Sequence, residues 1–147
     1  METTCGIFLI DARDKCLVVH PTGHKPWSWS IPKGRMEAGE EQLDTAQREL
    51  REETGLDLSE YAPFITQVRR LPEVKYTTRP KILVPFAIWL SITMEDVHLF
   101  CNTLVGDRFP ENDDFKWVDF KALGPLVHPT QSAVIQHVLA HYQQSTS

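Results

Sequence analysis

Long apolar runs are missing from this 147-residue chain: the longest, Ile82 to Leu90, has nine residues and contains Pro85. A bilayer-spanning helix needs roughly 20 apolar residues, so this run does not cross a membrane. The N-terminus has no basic segment followed by a hydrophobic stretch and a small-residue cleavage site, so secretion is not signalled. Cysteine is also scarce. Cys5, Cys16 and Cys101 are odd in number and scattered, which argues against a disulfide framework and a clustered zinc site. A reducing cytoplasm is the natural expectation. No repeat, low-complexity tract or linker stands out. At about 150 residues per domain, residues 1–147 read as one domain. With 41% hydrophobic and 24% charged residues, the composition favours a packed core over disorder.

The charge is unevenly spread. The formal net charge is -5, from 15 Lys+Arg against 20 Asp+Glu. Between Glu37 and Asp57 lie eight acids and two bases, a local charge of -6. The remainder has 13 bases and 12 acids, a net of +1. The acidity is local.

Apolar pattern and turn residues predict an order of elements. Thr3 to Ile10 reads as a strand, Asp11 to Asp14 as a turn, and Cys16 to His20 as a strand pairing with the first. His20 to Pro32 reads as a loop, in which Trp27 and Trp29 are expected to pack locally and His20 and His24 to be solvent-exposed. Glu41 to Thr54 are good helix formers, with Gly55 as C-cap. Phe64 to Leu71 and Lys81 to Ile92 are strand candidates separated by a polar loop around Tyr76, and Phe115 to Val118 is a short strand. Pro129 opens a last helix with Val134, Ile135, Val138, Leu139 and Tyr142 on one face. His137 and His141 lie at i, i+4 on it and read as a plain surface pair. The order predicts an α+β fold, a mixed sheet with helices packed on its faces.

On the central helix, Glu49, Glu52 and Glu53 share one face, whereas Leu43, Ala46 and Leu50 form a separate stripe. One side can pack on the sheet while the other presents three carboxylates. Such like charges destabilise a bare helix by a few tenths of a kcal/mol per pair, and a divalent cation removes the repulsion. Carboxylate oxygens suit Mg²⁺ or Mn²⁺, with substrate phosphates completing the coordination. Arg48 can reach Glu52 at i+4 and hold it.

Five residues separate Gly34 from Glu40, and seven more lead to Arg48-Glu49-Leu50-Arg51-Glu52-Glu53-Thr54-Gly55-Leu56. The stretch matches throughout the Nudix box, G-x5-E-x7-R-E-U-x-E-E-x-G-U, where U is a bulky aliphatic residue. The chain therefore resembles the Nudix hydrolase superfamily. The resemblance implies a mixed sheet sandwiched between helices, and Mg²⁺- or Mn²⁺-dependent hydrolysis of a nucleoside diphosphate linked to another group. It implies Glu49 and Glu53 as the principal metal ligands, and Glu52 as a further ligand or a base. The main-chain carbonyl of Lys33 would be another ligand, Glu40 a supporting residue, and Arg48 the residue that orients the carboxylates. Gly34 and Gly55 would permit tight backbone on either side of the helix. Many relatives draw the general base from a loop ahead of a short strand containing Trp. Here that region is Pro110-Glu111-Asn112-Asp113-Asp114-Phe115-Lys116-Trp117, with Glu111 the leading candidate and Asp114 next.

Outside the box, Trp29-Ser30-Ile31-Pro32-Lys33-Gly34 resembles the W-x-x-P-K-G segment of dinucleoside polyphosphate hydrolases and inositol-polyphosphate relatives. Arg79 to Phe86 looks like the K-P-K-x-V strand of diadenosine tetraphosphate hydrolases. On that likeness Lys33 and Lys81 would meet phosphate and Tyr76 would stack on adenine. A bland reading of Lys81 is protection of a strand edge. The substrate class implied is a diadenosine polyphosphate, with ADP-ribose, nucleoside triphosphates, diphosphoinositol polyphosphates and RNA 5′ ends as alternatives. An RNA substrate would benefit from a basic track, for which Arg69-Arg70 and the Lys75 to Lys81 stretch are the local material. A non-catalytic binding module would typically have lost box carboxylates, and none is lost here.

Overall fold

The computed structural model describes residues 1–101 and 109–142. Among these described residues the strands are β1 (Glu2–Ile10), β2 (Lys15–Pro21), β3 (Lys33–Arg35), β4 (Ile65–Arg70), β5 (Val74–Lys75), β6 (Lys81–Leu90) and β7 (Asn112–Asp119). The helices are α1 (Gln42–Thr54) and α2 (Pro129–His141), with short 3₁₀ turns at Leu58–Phe64, Phe120–Ala122 and Gly124–Leu126.

The main path of the sheet runs β4-β6-β1-β2-β7. β1 and β6 are parallel, and the other pairs are antiparallel. As the central strand, β1 is buried from Thr4 onward, and its alternate residues serve two cores. Cys5, Ile7 and Leu9 pack with Ala46 and Leu50 of α1. Phe8 and Ile10 pack with Val134, Ile135 and Val138 of α2. Each large aliphatic side chain fully buried in this way contributes about 1.5–3 kcal/mol. The α+β architecture of a mixed sheet between helices is the one the sequence predicts. Among the described residues, no helix is long and apolar enough to cross a membrane.

Several expectations need correction. The predicted loop from His20 to Pro32 loses its first two residues to β2, which runs to Pro21, and it is followed by a strand that no pattern announced: Lys33–Arg35 pairs with the first half of β1, from Gly6↔Lys33 to Thr4↔Arg35. His20 lies inside β2 and is buried, because it is the last inward position before the ladder slips at Pro21. Trp29 packs in the core, but Trp27 is 66% exposed, with Lys25 Nζ 5.4 Å over its ring. β7 begins three residues before the predicted Phe115, which places Asn112 in the ladder opposite Pro21.

Candidate functional site

Three elements converge below the β1–β3 junction. Helix α1 supplies Glu49 and Glu53, β3 supplies Lys33 and Gly34, and the approach to β7 supplies Glu111. The C-terminus of α1 is set by Gly55, whose φ of 81° is open to glycine, and whose N–H donates to the Arg51 carbonyl. Gly34 has a different purpose. Its φ is not left-handed, but a Cβ there would overlap the Glu49 carboxyl, so glycine allows the carboxylate to lie against the backbone.

Carboxylate oxygens of Glu49, Glu53 and Glu111 lie within 4.8 Å of one another. Glu49 and Glu53 are buried, and Glu111 is exposed. Glu53 accepts from the Lys33 N–H at 3.0 Å and from Asn112 Nδ2 at 3.2 Å. Among the described residues, no ion pair compensates Glu53. Burial, and then the negative charge of Glu49, hold its pKa well above the ordinary carboxylate value. Burial also raises that of Glu49.

Arg48 is fixed from several sides. Its Nε and Nη2 donate to the two oxygens of Glu40 at 2.7 and 3.0 Å, and Nη2 also donates to the Arg35 carbonyl at 2.9 Å. Its Nη1 donates to Glu49 at 2.9 Å and to Glu52 at 3.3 Å. Glu40 is held in turn by the Glu37 N–H and by Thr45 Oγ1. The Arg48 hydrogen bonds pull the Glu40 pKa down to about 2. The arginine therefore joins three box acids, Glu40, Glu49 and Glu52. Glu52 stands outside the group of three oxygens, as does Asp114, which accepts from the Phe115 N–H at 2.8 Å.

Beside the carboxylates lies a cleft of about 420 Å³ lined by Lys33, Gly34, Glu49 and Glu111 among others. A second, of about 500 Å³, shares Lys33 and is lined by Tyr76, Arg79, Lys81, Trp27 and His128. The structure thus brings together the cations and aromatic residue expected from sequence. Lys81 Nζ sits 4.8 Å over the Tyr76 ring and 3.8 Å from Glu2. His128 and Gln131 were not singled out by any sequence motif. His128 Nδ1 accepts from the Thr130 N–H at the start of α2, and its ring lies 5.5 Å from that of Tyr76. Burial, with Lys33, Lys81 and Arg79 nearby, lowers its pKa and keeps it neutral near pH 7. Gln131 Oε1 accepts from the Ile31 N–H at 3.0 Å, so it braces the segment leading to Lys33.

The sequence matches the NUDIX domain family over residues 2–141. The chain belongs to the Nudix family. As a Nudix hydrolase it is an enzyme, and its relatives carry that activity in their names. It is 29% identical to an RNA pyrophosphohydrolase of Bartonella quintana, over 80% of this chain and 71% of the relative. It is 45% identical to the asymmetrical bis(5'-nucleosyl)-tetraphosphatase of Mus musculus over 36% of this chain and 34% of the relative. The fold resembles that of a C. elegans Ap4A hydrolase with a TM-score of 0.69 at 16% identity, covering 93% of this chain and 96% of that one.

The donor set suits the divalent cations generally used by Nudix enzymes. Three hard carboxylate oxygens lie close together, and two belong to buried side chains whose charges oppose one another. Among the described residues, His137 and His141 gain no third partner of this kind; their rings stack at 4.2 Å.

Proposed function

We propose that this Nudix hydrolase is a Mg²⁺- or Mn²⁺-dependent pyrophosphohydrolase of nucleoside polyphosphates, with diadenosine polyphosphates such as diadenosine tetraphosphate as the leading substrates. The observation that carries the reading is the sharing of Lys33 by the carboxylate cleft and the Tyr76–Lys81 cleft. A polyphosphate can run from one to the other, with a base lodged at its end.

Glu49 and Glu53 would hold the metal, with Glu111, the Lys33 carbonyl and Glu52 as further candidate ligands. When bound, the divalent ion neutralises phosphate oxygens and favours in-line attack of water at phosphorus. Arg48 ties Glu49 to Glu40 and Glu52 and so orients its carboxylate. Lys33 and Lys81 offset phosphate charge outside the carboxylate cleft, and Tyr76 offers a face to a base. Glu111, exposed beside two buried acids, would take the proton of the attacking water. The water oxygen then bonds to phosphorus as the anhydride P–O bond breaks, and the leaving phosphate departs with that bond's electrons. Asp114 is the less favoured base because it lies outside the group.

A second reading, hydrolysis of a 5′-triphosphorylated RNA end, is favoured by the RNA pyrophosphohydrolase relatives. Both substrates present a nucleoside joined to a polyphosphate. The protein is expected to work in the cytoplasm as one domain. A product-resolved panel tests the reading: diadenosine tetraphosphate, 5′-triphosphorylated RNA, ADP-ribose, dGTP and a diphosphoinositol polyphosphate, each with Mg²⁺ and Mn²⁺. Preferential cleavage of diadenosine tetraphosphate to ATP and AMP supports it. Preference for the RNA selects the second reading, and turnover of none contradicts both.

A further inference from the structure

The segment carrying Glu111 is held by contacts from β2 as well as by its reach toward Glu53. His20 is buried, and both of its ring nitrogens are engaged. Nδ1 lies 2.6 Å from Oδ1 of Asp113, and Nε2 lies 2.8 Å from the Lys25 carbonyl oxygen. A carboxylate and a carbonyl only accept, so both nitrogens must donate, and a ring that donates twice is an imidazolium. The same two acceptors, the Lys25 carbonyl first, raise the His20 pKa. The ring also packs edge-on to Trp29 at 5.3 Å.

Two residues on, Thr22 grips the same segment. Its N–H donates to the Glu111 carbonyl at 2.8 Å, and its Oγ1 donates to the Pro110 carbonyl at 2.6 Å. The β2–β7 ladder shifts register between His20 and Pro21, so regular pairing does not by itself fix this end of β7. One main-chain bond, from Thr22 to Glu111, and several side-chain contacts supply what the ladder lacks. Pro110 and Glu111 are tied to Thr22, Asp113 is tied to His20, and Asn112 reaches the other way to Glu53.

We propose that His20 is a positioning residue for hydrolysis: by pinning Asp113 with a charge-assisted hydrogen bond, it fixes where Glu111 and Asn112 meet Glu53. The inference rests on the reading of Glu111 as the acceptor of the water proton. Through the Lys25 carbonyl, the same ring also anchors the loop whose Trp27 lines the nucleotide cleft. One buried cation thereby joins the Lys25 loop to the strand that Glu111 precedes.

A double-mutant cycle tests it, using diadenosine tetraphosphate or whichever substrate of the panel is turned over fastest, at saturating Mg²⁺. His20→Gln should lower kcat about 10–100-fold, the range for groups that orient working residues, with KM within about twofold. In the Glu111→Gln background it should cost less than about twofold, because a base already removed cannot be misplaced. Asp113→Asn should behave alike, and it carries the same cycle if His20→Gln does not fold. Loss by the same factor in both backgrounds, or an effect on KM alone, overturns the inference and leaves Glu111 in its role. If Glu111→Gln keeps the parent kcat, the Glu111 reading fails and the inference falls with it.

Discussion

The carboxyl group of Glu49 lies where a side chain at Gly34 would begin. The two residues come from different elements, α1 and β3, and the glycine lets a buried carboxylate approach the backbone of the β3 strand. Gly34→Ala should therefore act on the site more than on the fold. Displacing Glu49 by about 1 Å would cost roughly 100-fold in kcat. Steady-state kinetics beside a thermal melt check this, and a Gly34→Ala enzyme with parent kcat would refute the close-approach role.

Glu53 sets stability against function. Its folded-state pKa is raised, so its ionisation weakens the fold, and that loss grows as pH rises from the unfolded value of about 4.3 through the folded one. In EDTA at pH 7.5, Glu53→Gln should melt above the parent protein. With Mg²⁺ at 100 times its Kd, binding adds about 2.7 kcal/mol to the parent, and the order should reverse. A lower Tm for the variant in EDTA would count against the strain.

Glu40 behaves oppositely. Its pKa is depressed to about 2 by Arg48, so its contribution to stability is present above the unfolded value and disappears as pH falls toward 2. Glu40→Gln should be less stable than the parent at pH 7, and the gap should close on acidification through that window. Denaturant melts at pH 7 and pH 3 measure it; a gap constant with pH would show that the charge is not responsible.

Tyr76 and Lys81 meet at 4.8 Å in the larger cleft. Tyr76→Ala should raise KM for adenine dinucleotides by about 5–10-fold, equivalent to a stacking contribution near 1–1.5 kcal/mol, with little change in kcat. An unchanged KM would remove the ring from the base subsite.

What the sequence made legible follows local physics. The helix of Glu49 and Glu53 was readable because its apolar stripe and acidic face differ in phase, and α2 because Pro129 precedes an apolar face. The box supplied Gly34, Glu40 and Arg48 through spacing. The three-residue β3 has no periodicity to detect, and it forms because β1 offers it a partner. His20 read as an exposed residue where a strand gives way to a loop, because Pro21 and Gly23 follow it. Its partner Asp113 lies 93 positions away, where no local pattern reaches. Arg48 showed its i+4 link to Glu52, but its stronger attachment to Glu40 depends on how the loop before α1 folds back.

On the function proposed above, the Glu49–Glu53–Glu111 group carries out metal-dependent cleavage of a nucleoside polyphosphate. Its most direct test is product-resolved hydrolysis of diadenosine tetraphosphate by the parent enzyme in Mg²⁺, the parent in EDTA, and Glu53→Gln in Mg²⁺. ATP and AMP should form in the first alone, with the other two reduced more than about 100-fold, beyond the loss typical of groups that only orient ligands. Turnover by Glu53→Gln at the parent rate, or turnover undiminished in EDTA, would contradict it.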